Sequence, residues 1–211
     1  MIETFIAAWL GMIVAQATPG PNLMAVASVS LRQGRLAGFF VVLGVASGIL
    51  IWVLACATGV IGLLTTYPVL GTGLKLLGGA YLVYLAARAV RAALTNTPTS
   101  IKASATHYSL SGAWRLGALV VLTNPKAALM WLAVSAFVFA GGATPTQFLL
   151  FFPIGSLTAI AIYGAYAVLF STRTANQIFA RFSRWIELAF GTVFGTLGAR
   201  LVADGIRDVR T

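Results

Sequence analysis

Six apolar stretches, each long enough to cross a lipid bilayer as a helix, occupy most of this sequence. A hydrocarbon core of ~30 Å requires about 20 residues of helix. Only 9% of the 211 residues are charged, whereas about a quarter of the residues in a soluble domain carry charge. The sequence therefore predicts an integral membrane protein with no separate soluble domain. The predicted spans are residues 5–31, 36–64, 69–89, 114–140, 148–170 and 185–202.

The basic residues that lie between spans fall into alternate loops, although the chain as a whole has a formal net charge of +10. Arg and Lys follow the first, third and fifth spans, while loops 65–68 and 141–147 contain neither. By the positive-inside rule the basic loops are cytoplasmic, which places both termini in the periplasm. This pattern indicates a lipid bilayer as the partner and argues against nucleic acid. Basic residues in the C-terminal tail leave open a five-span alternative that moves this tail inside.

Proline interrupts the first and fourth spans near their middles, at residues 18–22 and 123–126. Proline removes a backbone donor and disrupts the preceding helical turn, which frees polar groups that hydrocarbon cannot satisfy. Such backbone persists at membrane depth only where protein or a water-filled cavity covers it. The alternative is a kink that merely bends a long helix. Two breaks at equivalent places favour a binding site between broken helices.

The two halves of the chain resemble each other span by span, and Pro125 aligns with Pro19. Because three spans is an odd number, the second half enters the bilayer from the opposite face. We therefore expect an all-α polytopic membrane protein whose six transmembrane helices form two inverted three-helix repeats. The chain is then a single transport domain, residues 1–211, with repeat one at 1–93, a cytoplasmic linker at 94–112 and repeat two at 113–211. His107 is expected to be a solvated residue of that linker.

Lys126 is the strongest single candidate for function, because a cation in mid-span costs roughly 2.5–3.5 kcal/mol and is seldom kept without a role. The half-helix that begins after Pro19 adds free amides and partial positive charge, which suit a carboxylate. Lys75 and Glu187, near the starts of the third and sixth spans, are read as interfacial anchors. Cys56 and His107 are the only Cys and His, so no metal site or catalytic constellation is predicted.

The Thr-Pro-Gly-Pro-Asn and Thr-Asn-Pro-Lys-Ala motifs, with six hydrophobic segments in about 210 residues, resemble the LysE/RhtB family, the lysine exporter and homoserine/threonine efflux proteins. The resemblance implies a bacterial inner-membrane protein that exports amino acids, is driven by the proton motive force and is not an enzyme. It implies no cofactor, and a homo-oligomer is compatible with it. The family motifs fall on Pro19, Gly20, Pro21, Asn22, Asn124, Pro125 and Lys126.

Related proteins often carry an acidic residue in span two after a glycine, where this chain reads Gly48-Ile49-Leu50-Ile51. We therefore expect a site without acidic side chains, which favours a neutral amino acid such as homoserine, threonine or leucine. Proton coupling then follows from the resemblance alone. A channel, a structural bundle and an exporter of cationic amino acids remain the alternatives. Lys126 or the half-helix start would bind the carboxylate, and the ammonium and side chain would meet Gln16, Thr18, Asn22 and Asn124.

Overall fold

The computed structural model describes residues 2–60, 69–95 and 101–210, and these residues are mainly helical with no strand. The predicted end of span two, loop 65–68 and part of the linker lie outside the described residues. The elements in chain order are α1 (Ile2–Ala17), α2 (Pro21–Gln33), α3 (Arg35–Ala55) with a π-helical extension (Cys56–Val60), α4 (Val69–Leu94), α5 (Leu110–Thr123), α6 (Pro125–Ala140), α7 (Pro145–Phe148), α8 (Phe151–Leu169) and α9 (Arg173–Arg210).

Both predicted breaks are present as sharp bends between consecutive helices. The α1–α2 pair bends by 45° and the α5–α6 pair by 59°. Four further segments, in α3, in α4, across α7 and α8, and in α9, are long and apolar enough to cross a bilayer. Length and composition thus give up to six spans when each bent pair is counted as one. The all-α fold with broken first and fourth segments is confirmed.

Helix α9 is much longer than the span predicted at 185–202. It contains 38 residues, which at 1.5 Å per residue is about 57 Å and exceeds a ~30 Å hydrocarbon core. The polar residues before Trp185 are therefore helical and do not form an extended loop. The hydropathy pattern did not predict the segment before Trp185, because hydropathy reports only the transfer of side chains into lipid. A helix can extend into water as long as its backbone hydrogen bonds continue.

Glycines bring α3 and α5 into backbone contact. A Cβ atom on Gly44 would overlap the Trp114 carbonyl oxygen, and one on Gly117 would overlap the Val41 carbonyl oxygen. Gly44 and Gly48 form a small-xxx-small pattern, the usual sequence signature of close helix packing in membranes. These glycines therefore serve packing, and α3 is held directly against the helix that leads into the second break.

Helices α4 and α9 pack along each other in the same manner. A Cβ atom on Gly79 would lie 2.9 Å from the Gly198 carbonyl oxygen, and one on Gly198 would lie 2.7 Å from that of Gly79. Near one end of this pair, the Lys75 ammonium lies 2.6 Å from an Asp208 carboxylate oxygen. Within this pair α4 packs against α6 and α9 packs against α1. Phe190 of α9 thereby lies next to Lys126 at the second break.

The described part of the linker is attached to the end of α2. The Gln33 side chain donates to the Tyr108 carbonyl and accepts from the Tyr108 amide, each at 2.8 Å. Ser109 caps α5 by accepting from the Gly112 amide at 3.1 Å. His107 is exposed, as predicted.

Candidate functional site

The first break separates α1 from α2 at three residues, Thr18, Pro19 and Gly20. Thr18 closes the last turn of α1, because its amide and its hydroxyl both donate to the Val14 carbonyl, at 3.0 and 2.6 Å. Pro19 and Pro21 have no N–H with which to continue the helix. Pro21 occupies the first position of α2, where a missing N–H costs nothing. Gly20 supplies no side-chain cap. The start of α2 therefore presents backbone N–H groups and the positive end of a helix dipole.

The second break lies between Thr123, the last residue of α5, and Pro125, the first of α6. Asn124 is extended at this junction and caps α6, because its side-chain oxygen accepts from the Lys126 amide at 3.0 Å. Asn is among the best N-cap residues. The cap fixes the direction of α6 and places the Lys126 side chain at the first turn of that helix.

Side chains from the two breaks contact each other. The Asn124 amide nitrogen donates to the Asn22 side-chain oxygen at 3.1 Å. Lys126 Nζ reaches across to the Pro19 carbonyl oxygen at 3.5 Å and lies 4.6 Å from the centroid of the Phe190 ring. Among the described residues, no carboxylate lies within 4 Å of this ammonium. The cation is therefore held by a carbonyl and a π face, and it can still bind an anion.

Two adjoining cavities surround this contact. The smaller, ≈ 30 Å³, lies between the breaks and α8 and has room only for water. The larger, ≈ 320 Å³, extends towards α4 and α9 and reaches the lower end of the range for small-molecule sites. All nine predicted binding residues line them: Gln16 and Asn22 the smaller, Pro19, Pro21 and Pro125 the larger, and Thr18, Gly20, Asn124 and Lys126 both.

Gln16 carries a buried acceptor without a partner. Its Nε2 atom donates to the Gly155 carbonyl at 3.3 Å, whereas its Oε1 atom is buried and accepts no hydrogen bond from any residue that the structure describes. The Gly155 carbonyl can only accept a hydrogen bond, so the donating amide nitrogen of Gln16 must face it and the side-chain oxygen must point the other way. An unsatisfied buried acceptor costs roughly 1–3 kcal/mol. A donor from water or from a bound solute would therefore stabilise this side of the smaller cavity.

Glu187 is the residue that sequence reasoning misplaced. It was predicted to be an interfacial anchor, and the site was expected to lack acidic side chains. The second expectation is wrong, because Glu187 is half-buried and lines the larger cavity together with Lys126 and Arg88. Its position at the membrane interface stays a prediction. The signal available in the sequence is spacing: Glu187 precedes Phe190 by three residues, so both lie on one face of α9. Within the described residues, no group of three His, Cys, Asp or Glu side chains could bind a metal ion.

Replacing Asn124 by Ala should destabilise the protein more than replacing Asn22 by Ala. Asn124→Ala removes both the cap of α6 and the hydrogen bond between the breaks, about 1–2 kcal/mol together. Asn22→Ala leaves the cap of α6 in place and removes the side-chain hydrogen bonds of Asn22 to Asn124 and Tyr163, about 0.6 kcal/mol each. Thermal unfolding of the purified variants in detergent should therefore show the larger loss for Asn124→Ala. Equal losses would contradict a capping role for Asn124.

The fold and the site together define a polytopic helical membrane protein in which a polar cavity lies between two broken helices. A family model described as LysE type translocator matches residues 13–205. The chain therefore belongs to the LysE type translocator family, in agreement with the resemblance of its motifs.

Three curated relatives align with between 61% and 96% of the chain. An uncharacterized membrane protein of Pseudomonas aeruginosa is 34% identical over 94% of this chain and 91% of its own length. The threonine efflux protein of Escherichia coli K12 is 25% identical over 96% of this chain and 98% of its own length. The leucine efflux protein of Salmonella choleraesuis is 34% identical over 61% of this chain and 59% of its own length. No solved structure matches the chain.

Proposed function

We propose that the protein is a secondary transporter that exports a neutral amino acid, or a close derivative, across the bacterial inner membrane. Membership of the translocator family and the similarity to threonine and leucine efflux proteins support this function. The observation that carries the proposal is the Lys126 ammonium, which lies between two helix breaks in a ≈ 320 Å³ cavity without an acidic partner within 4 Å among the described residues.

In this proposal Lys126 binds the substrate carboxylate, assisted by the backbone amides at the start of α2. Gln16 offers its unpaired oxygen as an acceptor to a water molecule in the smaller cavity, which adjoins the substrate. Thr18, Asn22 and Asn124 add short polar side chains around the same space. The backbone of the two breaks, at Pro19, Gly20, Pro21 and Pro125, shapes the cavity and leaves it open to a ligand.

A neutral substrate fits the charges of the larger cavity. Lys126 and Arg88 contribute two cations, and Glu187 contributes the one acidic side chain among the residues that line it. A substrate with a net positive charge would enter a site that already has an excess of positive charge, which disfavours its binding. An amino acid that is neutral overall avoids this repulsion.

Transport by alternating access and coupling to protons are parts of the same proposal. The two halves are proposed to be inverted repeats that rock around the site, with both termini in the periplasm. Support comes from the equivalent positions of the two breaks and from the Asn22–Asn124 hydrogen bond that joins them. No catalytic activity, metal or cofactor is proposed.

The experiment is an export assay in cells that overproduce the protein, with a panel of neutral and basic amino acids. We expect saturable export of one or a few neutral amino acids, mutual competition between them, and a loss of export when the proton gradient is collapsed. Flux that does not saturate would indicate a channel and would refute the proposal. Export of lysine or arginine in preference to neutral amino acids would refute the proposed substrate class.

A further inference from the structure

We propose that Glu187 binds the ammonium group of the substrate and so makes the site specific for amino acids over other small carboxylates. This inference rests on the proposed transport function and assigns a specificity-determining residue to the same site. Of the four acidic residues in the chain, Glu187 is the one that lines either cavity between the breaks. Asp208 is paired with Lys75, and Glu3 is exposed on the first turn of α1.

The position of Glu187 follows from the register of α9. Glu187 and Phe190 lie one turn apart on the face of α9 that borders the larger cavity. The Phe190 ring is 2% exposed and is the surface against which the Lys126 ammonium rests. Glu187 therefore lies one helical turn along α9 from the ring that contacts the cation, and on the wall of the same cavity.

The two opposite charges share the cavity without neutralising each other. Glu187 is close enough to both Lys126 and Arg88 for their charges to interact, yet among the described residues it forms an ion pair within 4 Å with neither of them. Arg88, the other cation of this cavity, is exposed and lies over the Tyr84 ring at 5.9 Å. Glu187 has no ion-pair partner among the described residues and keeps its capacity to bind a cation.

An α-amino acid complements this arrangement because it carries an ammonium and a carboxylate on one carbon atom. Bound between Glu187 and Lys126, it would satisfy both protein charges with charge-assisted hydrogen bonds. A carboxylate that lacks the amino group would satisfy Lys126 and leave Glu187 unpaired in a partly buried place. A site with such an unpaired polar group rejects the ligand that lacks the matching group.

The test measures how tightly purified protein binds an amino acid and the same molecule without its amino group. The pair is L-threonine with 3-hydroxybutanoate or L-leucine with 4-methylpentanoate, and it is chosen by which of the two amino acids the wild type exports faster. We expect wild-type protein to bind the amino acid at least about tenfold more tightly than the des-amino acid. Glu187→Gln should reduce this ratio by about tenfold to a hundredfold, the range expected for a hydrogen bond to a charged group. Affinity for the des-amino acid should rise, because the substitution removes the unpaired carboxylate that disfavours it.

Glu3→Gln is the matched control, because it makes the same chemical change on an exposed residue outside the cavities and should leave the ratio unchanged. Glu187→Asp keeps the charge on a side chain that is one methylene shorter, and its affinity ratio should lie between those of the wild type and Glu187→Gln. This variant also tests the proposal if Glu187→Gln does not accumulate in the membrane. An unchanged ratio in both Glu187 variants would overturn the proposal.

Two further outcomes separate this inference from others. In the first, Glu187→Gln keeps the affinity ratio, but its rate of amino-acid transport no longer responds to an imposed pH gradient. Glu187 would then carry the coupling proton, and the ammonium role would be overturned. If the wild-type protein exports no amino acid at all, the proposed function itself fails, and that result is distinct from a failure of the Glu187 role alone.

Discussion

Lys126→Met is expected to reduce amino-acid export by at least about thirtyfold while the protein stays folded. Methionine keeps the length and apolar stem of lysine but removes the ammonium that is proposed to bind the carboxylate. Loss of one partner from a desolvated charge pair costs about 2–5 kcal/mol, and each 1.4 kcal/mol is a factor of ten. Export from cells and substrate binding to the purified protein should both show the loss.

The stability of Lys126→Met distinguishes a binding role from a structural one. A cation in mid-span is unfavourable by roughly 2.5–3.5 kcal/mol on the insertion scale, so its removal should leave the melting temperature unchanged or raise it. Lys102→Met, on the exposed linker, is the matched control and should export normally. If Lys126→Met exported at the wild-type rate and affinity, Lys126 would have no part in binding. A parallel loss of export and melting temperature would make it a structural residue.

Gly44→Ala is expected to lower the free energy of unfolding by about 1–3 kcal/mol, the usual cost of inserting a methyl group where there is no space. The added Cβ atom would overlap the Trp114 carbonyl oxygen of α5, and backbone cannot rotate away as a side chain can. For a chain of this size the melting temperature should fall by roughly 2–4 °C per kcal/mol. Thermal unfolding in detergent measures the change.

The matched control for this prediction is Gly73→Ala in α4. A Cβ atom there would have no neighbour within 4 Å among the described residues, so the same substitution should be neutral or stabilise the helix by up to about 1 kcal/mol. Gly117→Ala, on the other side of the same contact, should be as destabilising as Gly44→Ala. Equal melting temperatures for Gly44→Ala and Gly73→Ala would show that α3 and α5 are not in backbone contact.

The two helix breaks could be predicted from the sequence because proline acts locally. A proline interrupts a helix whatever surrounds it, and the Asn, Thr and Gly residues beside it are those that cap helices and form turns. The nine candidate residues were therefore found without knowledge of the fold, and the structure brings them to one pair of cavities. Their role in binding remains a prediction until the variants are measured.

Glu187 could not be placed in the same way, because it lies far from both breaks along the chain. It enters the site only because α9 packs along α4 and turns the Phe190 face towards Lys126. The length of α9 was also missed, since the polar residues that precede its apolar part carry no hydropathy signal. Both errors concern how one helix meets others, which is decided by packing across the bundle.

Local chemistry therefore determined the class of this protein, its helical spans and the positions of its two breaks, because each depends on how a short segment behaves in lipid. The tertiary structure decided which charges share a cavity. Lys126, Glu187 and Arg88 come from three helices, and only the packing of α4 and α9 beside α6 brings them together. The sequence by itself indicated a cation in mid-span, and the fold placed Glu187 on the wall of the same cavity.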